Sequence, residues 1–455
     1  MDHFEYRDGE LCCQGVRLTD IAGELGTPLF VYSRSTLETH YDRFAAAFAP
    51  IEPLICFSVK SCPNIHILRV LAERGAGMDV VSGGELLRAR LAGVPAGRIV
   101  FAGVGKSDDE IRESLAPPPL SHGTNAPPVP VGTQGVGGEA GSEPIRLINI
   151  ESEQEYEVVA SAARSARVSA AAALRVNPDI VAGGHAYIAT GHRATKFGVS
   201  VDHARALIAR FHHERHLRLT GIHLHIGSSI LDPAPYAQAI TQALALIDDL
   251  ARDGVRVETL DIGGGFGADY RTGEAPGADE YARVIVPLLK ERVRDGLKII
   301  MEPGRALVAN AGVLLTRVRY VKFGGGRKFV VCDAGMHTLL RPSLYDAFHF
   351  VWPASVSPQH EPVRRAEDLD LPGLEPCDVV GPICETGDFL ARERRLPIVA
   401  RGDLMAVFGA GAYGMSMASR YNSQPLPCEV LVEGTRPRVI RRRESLEDLI
   451  HHERP

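Results

Sequence analysis

Between about Glu52 and Arg305 the chain repeats one pattern eight times: a short β-branched, apolar run followed by a longer amphipathic stretch. The runs are LICFSV before Lys60, MDVVS, RIVFAG, IRLINI, ALRVN, GIHLHI, TLDI and KIIME. Stretches such as NIHILRVLAERGA and GGELLRARLAG carry helical periodicity between them, and Ser107 with Glu110 and Ser152 with Glu155 have the spacing of capping boxes. Strands alternating with helices predict parallel pairing, and eight such units favour a closed barrel over an open sheet. A barrel keeps its chemistry at the carboxyl ends of its strands, so the polar residues there are the ones to weigh.

A (β/α)8 barrel uses about 250 residues, which leaves a second domain in a chain of 455. After Arg305 the texture changes to alternating strands with Gly and Pro turns, as in GVLLTRVRYVKF, KFVVCDAG and LMAVFGAGAY. The expected fold class is therefore α/β: a (β/α)8 barrel over 34–305, plus a mainly antiparallel β domain built from 1–33, including GTPLFVYS, and 306–455. Residues 117–144 are rich in Pro and Gly and almost lack large apolar side chains, which predicts a disordered insertion in the barrel. The net charge of −6 argues against nucleic acid. No apolar stretch is long enough for a membrane span, the N-terminus lacks the features of a secretory signal, and the eight scattered cysteines fit free thiols, so a cytoplasmic protein is expected.

Lys60 closes an apolar strand in ICFSVKS, where a low-dielectric barrel mouth would favour a neutral amine able to condense with an aldehyde. Asp79, Ser82, Asn149, Asn177 and His225 also fall at strand ends, and Ser228 follows on a loop suited to an anion. Gly263, Gly264 and Gly265 form a side-chain-free turn whose N–H groups are expected to wrap a phosphate, and their spacing is not that of a dinucleotide fold. MEPGR adds Glu302, Gly304 and Arg305: a carboxylate to keep a pyridine nitrogen protonated and a guanidinium fork for phosphate or carboxylate. Amine, phosphate turn and carboxylate together specify pyridoxal 5'-phosphate better than any one of them.

FSVK, DVVSGGE, HIGS, GGG and EPGR, in that order, resemble the pyridoxal-phosphate-dependent decarboxylases with an alanine-racemase-type barrel, and RPSLYDAFH with GPICETGDFL is similar to the diaminopimelate decarboxylase family. The resemblance implies decarboxylation of meso-2,6-diaminopimelate to L-lysine. It further implies that Lys60 holds the cofactor, His225 stacks on its ring, Ser228, Gly263 to Gly265 and Tyr413 bind phosphate, and Glu302 meets the ring nitrogen. Arg305, Arg341 and Tyr345 would grip the distal carboxylate of the substrate and Glu385 its distal ammonium. Cys384 would be the proton donor. In this family the Cys384–Glu385 segment serves the second subunit, which implies a homodimer with shared active sites.

A substrate with a remote carboxylate needs cations far from the reaction centre, whereas an ornithine decarboxylase needs an acid there, so the substrate class turns on Arg341. Sister decarboxylases for arginine, ornithine or carboxynorspermidine, a racemase and a non-catalytic regulatory homologue are the competing readings. The loop IVAGGHAYIATGHRATKFGV keeps the family's TG and KFG elements but is Gly-rich around His185, and Tyr421 in YNSQPLP is a further candidate for the site. HHERH, His212 to His216, reads as helix leading away from the catalytic face, and no metal is expected.

Overall fold

The computed structural model describes residues 2–115, 143–180, 196–268, 270–272 and 275–454. Residues 117–142 of the expected insertion and 181–195 of the loop after the fifth barrel strand lie outside the described residues. The chain forms two compact units, one of Phe44–Gly265 with Gly277–Pro303, the other of Met1–Arg43, Phe266–Pro276 and Gly304–Pro455.

The first unit is the barrel. Its strands are Leu54–Ser58, Gly77–Val80, Ile99–Phe101, Leu147–Ile150, Ala170–Asn177, Leu217–His223, Thr259–Asp261 and Lys298–Met301, matching the eight expected runs. Each pairs in parallel with the next, and the eighth closes on the first through Ile300 beside Leu54 and Met301 beside Ile55. Cys56, Val100, Leu147, Ala173 and Ile300 pack together as a dry cluster. These small and branched apolar side chains suit a narrow barrel interior. The helices begin at polar caps: Asn64, Ser82, Ser152 and Ser200 accept from backbone N–H groups one turn on.

Ser107 and Glu110 form the expected reciprocal box. Ser152 forms half of one: its hydroxyl accepts from the Glu155 N–H, but the Glu155 carboxylate turns instead to the Glu151 N–H and to the buried Lys106 ammonium. A charged partner 2.7 Å away outcompetes the neutral cap N–H. HHERH is likewise not helical. The helix Val201–Phe211 stops before it, and the motif forms the turn into the amino end of the sixth strand.

In the second unit the order of strands is Phe389–Leu396, Glu375–Val380, Arg327–Cys332, Gly312–Gly324, Leu29–Ser33, Cys428–Glu433 and Arg436–Arg441. Most pairs are antiparallel. Two are parallel: Arg327–Cys332 with Glu375–Val380, and Cys428–Glu433 with Leu29–Ser33. GTPLFVYS thus enters this sheet as an inner strand, every residue of Leu29–Ser33 being buried. Among the described residues no helix is long and apolar enough to cross a membrane.

Candidate active site

In the barrel unit the sequence candidates gather at the carboxyl ends of the strands. Lys60 sits in a single helical turn, Val59–Ser61, directly after the first strand. Its Nζ lies 3.0 Å from Asp79 Oδ2 at the end of the second strand, and the side chain is 33% exposed against 0% for Asp79. The amine, expected in a low-dielectric mouth that favours its neutral form, meets a buried carboxylate there. The Ser58 hydroxyl lies 2.8 Å from the same Asp79 oxygen and 3.0 Å from the Glu302 carbonyl oxygen, which ties the first, second and eighth strands together.

Glu302 is buried just past the eighth strand. Asn149 Nδ2 donates to its Oε1 at 3.3 Å and to Asp261 Oδ2 at 3.3 Å, while His223 Nε2 stands 3.5 Å from Glu302 Oε2. Burial works against charge on all these carboxyl groups. In Asp79 and Asp261 it prevails, reinforced by the charge of Glu302, and both pKa values rise. In Glu302, His223 and then Lys60 outweigh burial and hold the carboxyl below its usual range. Glu302 is thus the carboxyl of the group whose charged form its surroundings favour most. His223, Asp261 and Glu302 also bring ligand-capable atoms within 4.8 Å of one another, the one such set among the described residues. Both Asp261 oxygens already accept hydrogen bonds there, from Gly263 N–H and from Asn149.

His225 lies two residues beyond the sixth strand, which ends at His223. Its Nδ1 is 3.3 Å from the Gly264 N–H and accepts from it, so the ring's proton belongs on Nε2. Burial, then Arg175 and Lys60, lower its pKa well below the usual value, leaving a neutral imidazole. The glycine run differs from the expected open cradle: the Gly263 N–H is taken by Asp261 at 2.9 Å and the Gly264 N–H by His225. Its glycines are required by close packing. A Cβ on Gly263 would stand 2.1 Å from the Leu224 carbonyl oxygen, on Gly264 2.3 Å from that of Glu302, and on Gly265 2.6 Å from that of Gly227. Gly263 and Gly265 also have φ of 70° and 98°. Ser228 lies on the same loop as His225, after the sixth strand, and is half-buried.

The barrel residues fit pyridoxal 5'-phosphate. An amine, a neutral imidazole and an ionised carboxylate converge there. Buried polar atoms without a hydrogen-bond partner, Asp79 Oδ1, Asn149 Oδ1 and both ring nitrogens of His223, collect around Glu302, where a ligand would complete them.

MEPGR passes from one unit to the other, with Glu302 in the barrel and Gly304 and Arg305 in the β unit. Gly304 is buried and precedes the short helix Arg305–Val308. Arg305 and Arg341, each 7% exposed, share the ring of Tyr270, their guanidinium carbons 6.0 and 4.5 Å from its centroid. Arg305 also donates to the Tyr270 hydroxyl at 3.2 Å and lies 4.7 Å over Tyr413. Tyr413 holds a left-handed backbone, φ 56°, that a tyrosine adopts only when its surroundings enforce it. Burial would raise the Tyr270 phenol, but Arg341 and Arg305 overcome that and lower it. Tyr345 ends the helix opened by Arg341 and is half-buried.

Cys384 and Glu385 are exposed, whereas the other cysteines are buried. Their loop is pinned by the YNSQP segment: Asn422 Oδ1 accepts from the Cys384 N–H at 2.9 Å and the Tyr421 hydroxyl donates to Glu385 at 2.8 Å. The sequence reading passed over His223, Asp261, Arg175, Tyr270 and His349. For His223 a signal existed, since GIHLHI sets both histidines two apart on one side of an extended chain.

A family model for the pyridoxal-binding domain of pyridoxal-dependent decarboxylases matches residues 34–117 and 138–309. A diaminopimelate decarboxylase of Pseudomonas aeruginosa is 42% identical over 99% of this chain and 98% of its own length, and one of Aquifex aeolicus is 40% identical over 98% and 96%. A crystal structure of diaminopimelate decarboxylase from Helicobacter pylori complexed with L-lysine superposes with a TM-score of 0.83 at 35% identity, covering 96% of this chain and 98% of that one. A lysine/ornithine decarboxylase structure from Vibrio vulnificus, at 20% identity and a TM-score of 0.72, shares the fold. With the barrel, its lysine and its glycine turn already in place, these matches decide the family: the chain belongs to the diaminopimelate decarboxylases, within the pyridoxal-dependent decarboxylases.

Proposed function

We propose that this chain removes one α-carboxylate of meso-2,6-diaminopimelate as carbon dioxide, leaving L-lysine, with pyridoxal 5'-phosphate as cofactor. The observation that carries the substrate is Arg341. This guanidinium is buried, and among the described residues no aspartate or glutamate pairs with it. It meets instead a neutral histidine and an aromatic face. A cation left without its counter-ion inside a protein is a site for an anionic ligand, and the remote carboxylate of a diamino diacid is the anion the relatives' names supply.

When bound, the cofactor supplies a protonated conjugated ring that takes up the electron pair freed as carbon dioxide leaves. The chain supplies everything else. Lys60 holds the cofactor covalently, and Asp79 holds that amine in place before the cofactor arrives. Glu302, kept ionised by its neighbours, keeps the ring nitrogen protonated. His225 offers a neutral face for stacking, which adds no charge against the ring. Ser228, the turn from Gly263 to Gly265, Gly304 and Tyr413 bind the phosphate, with Gly263 and Gly264 acting as spacers that let the backbone close up. Arg305, Arg341 and Tyr345 receive the distal carboxylate and Glu385 the distal ammonium. Cys384 delivers the proton that replaces carbon dioxide on the α-carbon.

The exposure of Cys384 and Glu385, on a loop held outward by Tyr421 and Asn422, supports a homodimer in which each copy lends this loop to the other's site. We place the barrel domain at 34–305, the β domain at 1–33 and 306–455, and the protein in the cytoplasm, where its amino-acid substrate would be made. The test is carbon dioxide release by purified protein with pyridoxal 5'-phosphate, given meso-diaminopimelate, lysine, ornithine and arginine separately. Release from the first alone, abolished in Lys60→Ala, is expected. Equal or greater release from ornithine or arginine would overturn the assignment.

A further inference from the structure

We propose that His349 is a positioning residue that keeps Arg341 aimed and unneutralised for the distal carboxylate of the substrate, with Tyr270 as its second support. The inference rests on the substrate reading above and adds the device that makes it work.

Arg341 opens a five-residue helix and is almost wholly buried. A guanidinium only donates hydrogen bonds, and its charge cannot be removed at ordinary pH. Burying it without any acceptor would be prohibitive, and giving it a carboxylate would satisfy it permanently. His349 solves this conflict. Its Nε2 lies 2.7 Å from Arg341 Nη1 and its Nδ1 2.8 Å from the Phe408 carbonyl oxygen. The carbonyl can only accept, so Nδ1 carries the hydrogen. Nε2 then has a free lone pair for the guanidinium, and the two contacts fix one neutral tautomer. The ring is 0% exposed, so no water competes for either nitrogen.

Tyr270 stands edge-on to the same imidazole, centroids 5.2 Å apart at 62°, and lays its ring against Arg341. Arg341 is thereby solvated by a lone pair and a π-face, neither of which cancels its charge. Its remaining donors stay free to form the planar fork that fits a carboxylate.

The test is steady-state kinetics of holoenzyme variants with meso-diaminopimelate, alongside inhibition by L-lysine, which keeps the distal carboxylate, and by 1,5-diaminopentane, which has none. In His349→Leu, KM is expected to rise about tenfold or more with kcat changed less than about twofold, because the lost contact serves binding alone. The inhibition constant of L-lysine should rise with KM, and that of 1,5-diaminopentane should hardly move. His349→Gln, with an amide that can both accept and donate, should restore KM to within about threefold. His349→Glu should raise KM further by neutralising Arg341, and it answers the same question if the leucine variant does not fold. An unchanged KM in both His349→Leu and His349→Glu would overturn the inference alone. So would a parallel rise in KM and the 1,5-diaminopentane constant, the mark of general damage. No turnover by the unaltered chain would overturn the substrate reading first, and this inference with it.

Discussion

The barrel mouth and the arginine cluster of the β unit bury charge in opposite ways. In the barrel three cations are paired with carboxylates: Lys60 with Asp79, Lys106 with Glu155, Arg175 with Glu151. In the β unit Arg341 has a neutral imidazole and a tyrosine ring. The first arrangement has its charges already paired and can hold a cofactor for the life of the protein. The second is incomplete until a ligand brings the missing charge, so it can bind and release a substrate at every turnover. Stability belongs to the paired region and selectivity to the unpaired one.

That contrast can be broken by removing one cation from each region and measuring unfolding in denaturant. Arg175→Met leaves Glu151 buried with only the Gly198 N–H and the Glu155-bound backbone around it, and should destabilise by about 3–5 kcal/mol. Arg341→Met strands one histidine lone pair but also removes an unpaired buried charge. These effects oppose each other, and the net change should stay within about 1 kcal/mol. Equal losses in the two variants would show that Arg341 is structurally compensated after all.

A smaller effect sharpens the acidic side of the comparison. Glu85, behind the barrel mouth, has its pKa raised from 4.5 to about 7 by burial, with the Asp79 charge adding to it and its hydrogen bond from the Val81 N–H opposing. A folded-state pKa above the unfolded one means stability that is full below about 4.5 and lost as pH rises through about 7. Relative to Glu85→Gln, which keeps an acceptor for Val81, the wild type should therefore lose melting temperature across that interval. A constant difference from pH 4.5 to 7 would contradict it.

The eight strands were legible because β-branched runs of four to eight residues, bounded by Gly or helical pattern, leave few alternatives. Lys60, Glu302 and the glycine run were legible because polar residues at strand ends have few purely structural reasons to be there. What escaped is partnership. Nothing in DIGGG says that Gly263 and Gly264 give their N–H groups to Asp261 and His225, since those acceptors lie elsewhere in the chain or fold back locally. The capping box at Ser152 failed for the same reason, Lys106 arriving from 49 residues away to claim Glu155. Tyr270 sits in a loop without periodicity. His349 hides in AFHFVW, where only its isolation among apolar residues marks it.

The account stands most directly on whether Arg341 reads the distal carboxylate. The decisive measurement is kcat/KM for meso-diaminopimelate and for its distal monoamide, in the wild type and in Arg341→Gln. The wild type should prefer the diacid by about 100-fold or more and the variant by less than about tenfold, since the glutamine can serve an amide nearly as well as a carboxylate. The same preference in both proteins would contradict the account.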